Sequence, residues 1–166
     1  MQAVLLAGGL GTRLKSVVSV RPKPMALIEG RPFMEYVVHE LCRQGIEDIV
    51  FAVGYKGSMV EEYFEDGRNF GARISYAYEK ELLGTAGAIK NAGRLITEDQ
   101  FLVLNADTFY QIDYHRLEQI KEEKQLSMAM VLRQVPDVSR YGRAVLHERI
   151  LTAFNAKTPV PVPGTI

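Results

Sequence analysis

Apolar and polar positions follow two rhythms along this chain. Short apolar runs end on glycine or polar residues, and between them apolar positions recur three and four apart. Residues 2–6 (QAVLL) run into glycines, which predicts a buried parallel strand. Residues 32–44 set Phe33, Tyr36, Val37 and Leu41 on one helical face, with Pro32 as the first helical residue and Gly45 as the stop. EDIVFAVG (47–54) predicts a second strand. GSMVEEYFED (57–66) predicts a helix capped by Ser58, its acids solvated and Tyr63 and Phe64 turned partly inward. ARISYAYE (72–79) alternates as a strand does, and TAGAIKNAGRLI (85–96) is helical. FLVLNADT (101–108) is an apolar strand ending on polar residues, DYHRLEQIKEEK (113–124) an exposed helix and SMAMVLRQV (127–135) a further strand. Residues 143–157 predict a hairpin, and TPVPVPGTI closes the chain with three prolines and no charged side chain.

Alternating strands and helices predict an α/β domain around a mostly parallel central sheet, with helices on both faces. In such sheets ligands bind beyond the carboxyl ends of the strands. LAGGLGTR and LNADT would then open onto one edge, as parts of one site.

Composition adds mainly exclusions. The 166 residues suit one domain, 47% hydrophobic and 24% charged. Twenty Lys plus Arg balance twenty Asp plus Glu, so no global field favours nucleic acid or a membrane surface. No run reaches the roughly 18 apolar residues of a membrane span. Met1 leads straight into a strand, with no basic-then-apolar leader, so the expectation is a cytoplasmic protein. The single Cys42 reads as a small core residue, and the six methionines as core filling. His39, His115 and His147 show no metal-ligand spacing with Cys42. A homo-oligomer stays open.

The stretch LAGGLGTRL, Leu6 to Leu14, carries the chemistry. A dinucleotide fingerprint fails at its last glycine, and a Walker loop lacks its Gly-Lys-Ser/Thr. Two readings remain: a plain loop, and a cradle whose backbone N–H groups embrace a triphosphate. The next residues favour the cradle. From 1 to 28 the cations Arg13, Lys15, Arg21 and Lys23 meet no acid, and Pro22 and Pro24 stiffen the backbone around Lys23.

At LAGGLGTRL followed by RPKPM the chain resembles the sugar-1-phosphate nucleotidyltransferases. Their paired pattern is matched at Gly8, Gly9, Gly11, Thr12, Arg13, Leu14, Pro22, Lys23 and Pro24. LGTAGAIKNA (83–92) and LVLNADT (102–108) fall where that family has its base-contacting and metal-binding segments. The resemblance implies a Rossmann-like nucleotidyltransferase fold over residues 1–157. Its nucleotide part would cover about 1–112 and its sugar-phosphate part about 113–157, with 158–166 as a Pro-rich tail, truncated or a loop end. The stretch DVSRYG (137–142), with VVSVRPKPMALIEGRPFMEYVV and EKELLGTAGAIKNA, is most similar to members that pass GMP from GTP to a heptose 1-phosphate. Mannose 1-phosphate guanylyl transfer, N-acetylmuramate 1-phosphate uridylyl transfer and nucleotide binding without turnover are the alternatives.

The resemblance also implies roles. Arg13 would bind the triphosphate, Lys23 the α-phosphate and incoming sugar phosphate, and Asp107 a Mg²⁺ ion; these three are the catalytic set. Leu6, Ala7, Gly8, Gly9, Gly11, Thr12, Glu79, Gly84 and Thr85 would complete the nucleotide site. The Glu79 carboxylate can accept from guanine N1–H and N2–H₂, a donor pair adenine lacks; a solvated glutamate is the plain alternative. Tyr141, Gly142 and Lys157 would meet the sugar phosphate. The family's Phe-x-Glu-Lys reads Phe154-Asn155-Ala156-Lys157 here, so the usual sugar-binding glutamate is replaced.

Overall fold

Residues 1–9, 21–139, 141–155 and 163–166 are described by the structure, a computed structural model. Two compact units divide the chain, Met1–Ile112 and Asp113–Ile166.

In the first unit, four parallel strands stand in the order β5-β4-β1-β6. They are β1 (Gln2–Leu6), β4 (Asp48–Val53), β5 (Arg73–Tyr78) and β6 (Phe101–Asn105). The register pairs Leu5 with Phe51 and Phe51 with Tyr76, so alternate residues of neighbouring strands share a face. On one face Val4, Val50, Ala52 and Ala77 pack with Ala88 and Ala92 of α3 (Gly84–Ala92), where small residues let the helix lie close. On the other, Phe51 meets Phe64 of α2 (Gly57–Phe64) edge-on, with ring centroids 5.2 Å apart, and Tyr76 at 5.6 Å. The expected parallel sheet with helices on both faces is what forms.

Helix α1 (Phe33–Arg43) buries Met34, Val37, Val38 and Leu41. Its buried Glu35 accepts from the Tyr63 hydroxyl at 2.5 Å, which joins α1 to α2 and holds that phenol above its ordinary pKa. Pro32 is the residue before the helix, not its first turn: it ends β3 (Arg31–Pro32), which pairs with β2 (Leu27–Ile28). Cys42 is half-buried, and burial pushes its thiol pKa up.

The helix cap predicted at Ser58 does not form. Helix α2 starts one residue earlier, behind Lys56 in the left-handed region (φ 56°), and no side chain caps it. The turn is closed by Gly57 N–H donating to Gly54 O at 2.9 Å. A Cβ on Gly57 would lie 2.9 Å from Val53 Cβ and 3.0 Å from the Tyr78 ring, so close packing against the sheet sets the helix start.

The second unit opens with α4 (Tyr114–Glu123), whose cap Asp113 accepts from Arg116 N–H, as its sequence position suggests. Then comes an antiparallel sheet in the order β7-β10-β8-β9. Its strands are β7 (Gln134–Val135), β8 (Arg143–His147), β9 (Ile150–Asn155) and β10 (Gly164–Thr165). The expected hairpin is β8–β9, with an irregularity between Val145 and Leu146. The strand expected over 127–135 shrinks to Gln134–Val135. Met128 and Met130 in that run are 71% and 49% exposed, so they fill no core, unlike the buried Met25 and Met34.

Candidate functional site

The carboxyl ends of the parallel strands bring distant residues together. Beyond β1, the Ala7 N–H bonds Ala52 O at 2.8 Å, which carries the ladder up to Gly8 and Gly9. Leu6 is the last residue of β1, with the Ala106 N–H on its carbonyl at 3.1 Å. That bond holds the end of β6 beside β1, and Asp107 comes next.

Asp107 is met there by Lys23, 84 positions away in sequence, whose Nζ is paired with Asp107 Oδ2. The Thr108 hydroxyl donates to the other oxygen, Oδ1, at 3.2 Å. Lys23 opens a single 3₁₀ turn, Lys23–Met25, in which Pro24 and Met25 are buried. Met25 N–H bonds Pro22 O at 2.9 Å and Ala26 N–H bonds Lys23 O at 3.1 Å. The backbone under the ammonium is thus anchored by the buried Pro24 and Met25, a packing that the stiffening expected from the paired prolines did not include, while the side chain stays 43% exposed. Among the described residues no three of His, Cys, Asp and Glu gather into a metal-holding group.

Glu79 follows β5, its N–H on Val53 O at 2.8 Å. Its carboxylate turns toward β1: a Cβ placed on Gly8 would lie 2.3 Å from Glu79 Oε1. Oε2 accepts the Leu83 N–H at 3.3 Å. The loop from Glu79 then enters α3 at Gly84, whose φ of +67° is left-handed and suits glycine. Nothing lies within 4 Å of the side-chain position there, and Thr85 beside it is exposed. Just before Glu79, the Tyr78 hydroxyl donates to Glu61 at 2.5 Å; burial, together with that carboxylate, raises its pKa to about 12 and keeps it neutral.

Within the first unit, then, Leu6, Ala7, Gly8, Gly9, Lys23, Glu79, Gly84 and Asp107 all lie at or beside the carboxyl edge of the sheet. Gly11, Thr12 and Arg13 lie outside the described residues, as does Lys157. In the second unit Tyr141 is exposed, its N–H on Val138 O at 2.8 Å. Gly142 has a packing reason of its own: a Cβ there would lie 2.5 Å from the Phe154 ring and 3.2 Å from Asn155 O.

Two residues of this edge escape the motif reading. Gly54 follows β4 directly, as Gly8 follows β1 two residues on, and a Cβ on it would lie 3.0 Å from Gly8 O and 3.2 Å from Gly8 Cα. Its signal was present in VGYKG, a glycine directly after an apolar strand. Asn91 donates from α3 to Tyr78 O at 3.0 Å and fixes the end of β5; nothing in its sequence context marks it. A cavity of about 260 Å³ opens at the opposite end, among Gln2, Asp48, Arg68 and Arg73. These residues start strands or flank their starts, where the sequence places none of its chemistry.

Known proteins bear on this geometry. Residues 2–157 match the family described as nucleotidyl transferase. The chain is 44% identical to the D-glycero-alpha-D-manno-heptose 1-phosphate guanylyltransferase of Campylobacter jejuni, over 95% of this chain and 69% of that protein. It is 39% identical to the protein of the same description from Aneurinibacillus thermoaerophilus, over 95% and 68%. Among solved structures, HddC from Yersinia pseudotuberculosis complexed with GMP-PN superposes with a TM-score of 0.81 at 33% identity, covering 99% of this chain and 72% of that one. Among the described residues no helix is long and apolar enough to cross a membrane.

Proposed function

The chain belongs to the nucleotidyl transferase family, and on that premise we propose that it moves GMP from GTP to D-glycero-D-manno-heptose 1-phosphate. The products are GDP-heptose, for a bacterial surface glycan, and pyrophosphate, made in the cytoplasm where nucleoside triphosphates are supplied. The substrate pair rests on the likeness to the two heptose 1-phosphate guanylyltransferases. The structural observation that carries the chemistry is the meeting of Lys23 with Asp107 at the strand ends.

An oxygen of the sugar phosphate attacks the α-phosphorus of GTP. One P–O bond forms, the bond to the β-phosphate's bridging oxygen breaks, and its electrons leave with pyrophosphate. A phosphate monoester has a second pKa of about 6, so the nucleophile is already dianionic at neutral pH and no side chain need take a proton. The work left to the protein is alignment and charge stabilisation.

Lys23 is the cation for the α-phosphate and the incoming sugar phosphate. Its buried Pro24-Met25 anchor limits the entropy lost on ordering it. Arg13 supports it with a bidentate grip on the triphosphate. Backbone N–H groups near Gly8, Gly9, Gly11 and Thr12 complete the cradle, and Gly84 and Thr85 border the base. Asp107, at 31% exposure with an oxygen already on a cation, has the donor chemistry for Mg²⁺. Such a site takes one or two carboxylates beside phosphate oxygens and water. When bound to Asp107, the ion would supply charge neutralisation for the phosphates. Glu79 reads the guanine N1–H and N2–H₂ edge, and Tyr141, Gly142 and Lys157 receive the sugar phosphate.

The test is pyrophosphate release with Mg²⁺, crossing four nucleoside triphosphates with heptose, mannose, glucose and N-acetylmuramate 1-phosphates. Release with GTP and the heptose alone is the expected result. Release with another pair would keep the reaction and replace the substrates. Silence throughout would leave nucleotide binding without turnover.

A further inference from the structure

Gly8 belongs to the predicted triphosphate cradle, yet its α-carbon faces a different partner. A side chain at residue 8 would begin in space that the Glu79 carboxylate occupies, 2.3 Å from Oε1, 3.0 Å from Cδ and 3.4 Å from Oε2. Oε1 is the nearest of the three, so one carboxylate oxygen occupies the space that a side chain at residue 8 would fill. Such a clash is far inside any contact a real Cβ makes, and either the carboxylate or the main chain would have to move.

The sheet order makes this contact unusual. Strand β4 stands between β5, which Glu79 follows, and β1, beyond whose end Gly8 lies. Neighbouring strands lie about 4.8 Å apart. The Glu79 side chain therefore reaches past the end of β4 to touch the end of β1. The residue at that end is Gly54, which lies against Gly8: its own Cβ position is 3.0 Å from Gly8 O and 3.2 Å from Gly8 Cα, so a bare residue 54 lets the Gly8 backbone lie where it does. Gly8 and the Leu83 N–H, at 3.3 Å from Oε2, bound the carboxylate directly, and Gly54 acts through the Gly8 backbone that it lies against.

We propose that Gly8 and Gly54 form a seat for the Glu79 carboxylate and are positioning residues for the choice of nucleobase. The proposal rests on the reading of Glu79 as the guanine-recognising group. It adds that recognition depends on strand-end glycines that contribute no polar side chain. A carboxylate accepts two parallel N–H donors only when its plane and the donors' plane coincide, so its reach to the base depends on keeping Oε1 in the space left by Gly8 and Oε2 on the Leu83 N–H. With a methyl at residue 8 the carboxylate tilts away. The protein then keeps its charge at residue 79 and loses its discrimination.

The experiment measures affinity for GTP, ITP and UTP by calorimetry on the whole chain, so no turnover is needed. ITP differs from GTP by the lost 2-amino group. Four proteins are compared: wild type, Gly8→Ala, Glu79→Ala and the double variant, with folding checked by circular dichroism. Glu79→Ala is expected to lower the GTP-to-ITP and GTP-to-UTP affinity ratios about tenfold, the size expected from losing a hydrogen bond to a charged group. Gly8→Ala should lower them nearly as far. In the Glu79→Ala background Gly8→Ala should change them less than about twofold, because its effect runs through the carboxylate. Equal weakening of all three nucleotides by Gly8→Ala, with the ratios kept, overturns the seat and leaves the glutamate reading standing. Unchanged ratios in Glu79→Ala overturn both. Should Gly8→Ala not fold, Gly54→Ala reads the same seat by displacing the Gly8 backbone, with an expected two- to threefold loss of ratio; unchanged ratios there overturn the proposal.

Discussion

The two units of this chain are built on different terms. In the first, Met1–Ile112, strand positions such as Ala3, Val4, Leu5, Ile49 and Phe51 are at most 2% exposed, and helices cover both faces of the sheet. Of the described apolar residues that are buried, only Tyr114, Val138 and Ala144 belong to the second. Its β8–β9 hairpin leaves Leu146, Ile150, Leu151 and Phe154 exposed, and every residue of β9 is exposed. One unit is held by burial, the other chiefly by ladder hydrogen bonds and turns. Burial of a large side chain is worth about 1.5–3 kcal/mol, while a typical hydrogen bond nets about 1. The lesson is where precision comes from: a packed sheet edge can hold the Glu79 carboxylate against a bare α-carbon.

The sharpest break of this contrast is a matched pair of truncations. Phe51→Ala removes a fully buried ring that meets Phe64 and Tyr76 edge-on. It is expected to cost about 3–5 kcal/mol in urea unfolding. Phe154→Ala, at a ring 58% exposed, should stay within about 0.5 kcal/mol. Equal losses would mean that the second unit hides a core of its own.

Next in size is Lys23→Met, which separates chemistry from stability within the first unit. Turnover should fall about 10²- to 10³-fold, as for loss of a group that stabilises transition-state charge. The urea midpoint should hold, because the anchoring Pro24 and Met25 are untouched. In the same variant, Mn²⁺ followed by electron paramagnetic resonance should bind more tightly without nucleotide, since Asp107 no longer shares its carboxylate with an ammonium. Weaker Mn²⁺ binding would assign the carboxylate no role in holding a metal.

Gly142→Ala probes packing in the second unit. Its methyl meets the Phe154 ring at 2.5 Å, and that exposed ring can swing aside, so about 1 kcal/mol is expected. Phe154→Ala should erase most of the penalty; an undiminished cost would locate the clash at Asn155 O instead.

The smallest effect concerns pH. Arg73 grips Asp48 through two bonds of 2.6 and 2.7 Å, and the guanidinium holds that carboxyl below its ordinary pKa of 3.8. A depressed folded-state pKa gives stability that is present above 3.8 and lost as pH falls through the folded value. Arg73→Gln should therefore melt slightly lower than wild type at neutral pH, and the two curves should converge in strong acid. The pair is well exposed, so the gap should shrink with added salt. A gap that persists in acid would mean that Arg73 acts through its stem instead.

The same contrast sets how much the sequence tells. Apolar periodicity located β1, α1, β4, β5 and α3 because each has a face to bury, and burial is what that pattern encodes. The same pattern located β6, although its Leu102 and Leu104 are only half-buried and Phe101 and Val103 are exposed. It misplaced the strand at 127–135, where Met128 and Met130 are apolar residues without a core to enter. It misread Ser58 because the start of α2 is set by Gly57 fitting over Val53 and Tyr78, a contact made across the sheet. Asp107 could be found from its strand-end position. Its pairing with Lys23 could not, since it joins residues 84 positions apart through no shared pattern. The sequence reading makes Gly54 the last residue of the strand over 47–54, and only the closeness of the Gly8 backbone gives it a role.

That pairing also bears on which ligands the site can admit at low cost. In the protein alone Lys23 and Asp107 each serve as the other's counterion. A phosphate arriving without a cation would take the ammonium and strand the carboxylate; a cation arriving alone would strand the ammonium. Separating such a pair leaves an uncompensated charge, which is penalised more as water is excluded. Under the proposed reaction, a triphosphate carrying its metal satisfies both charges in a single exchange of partners. The site then behaves as a conjunction, answering to two inputs together and poorly to either alone.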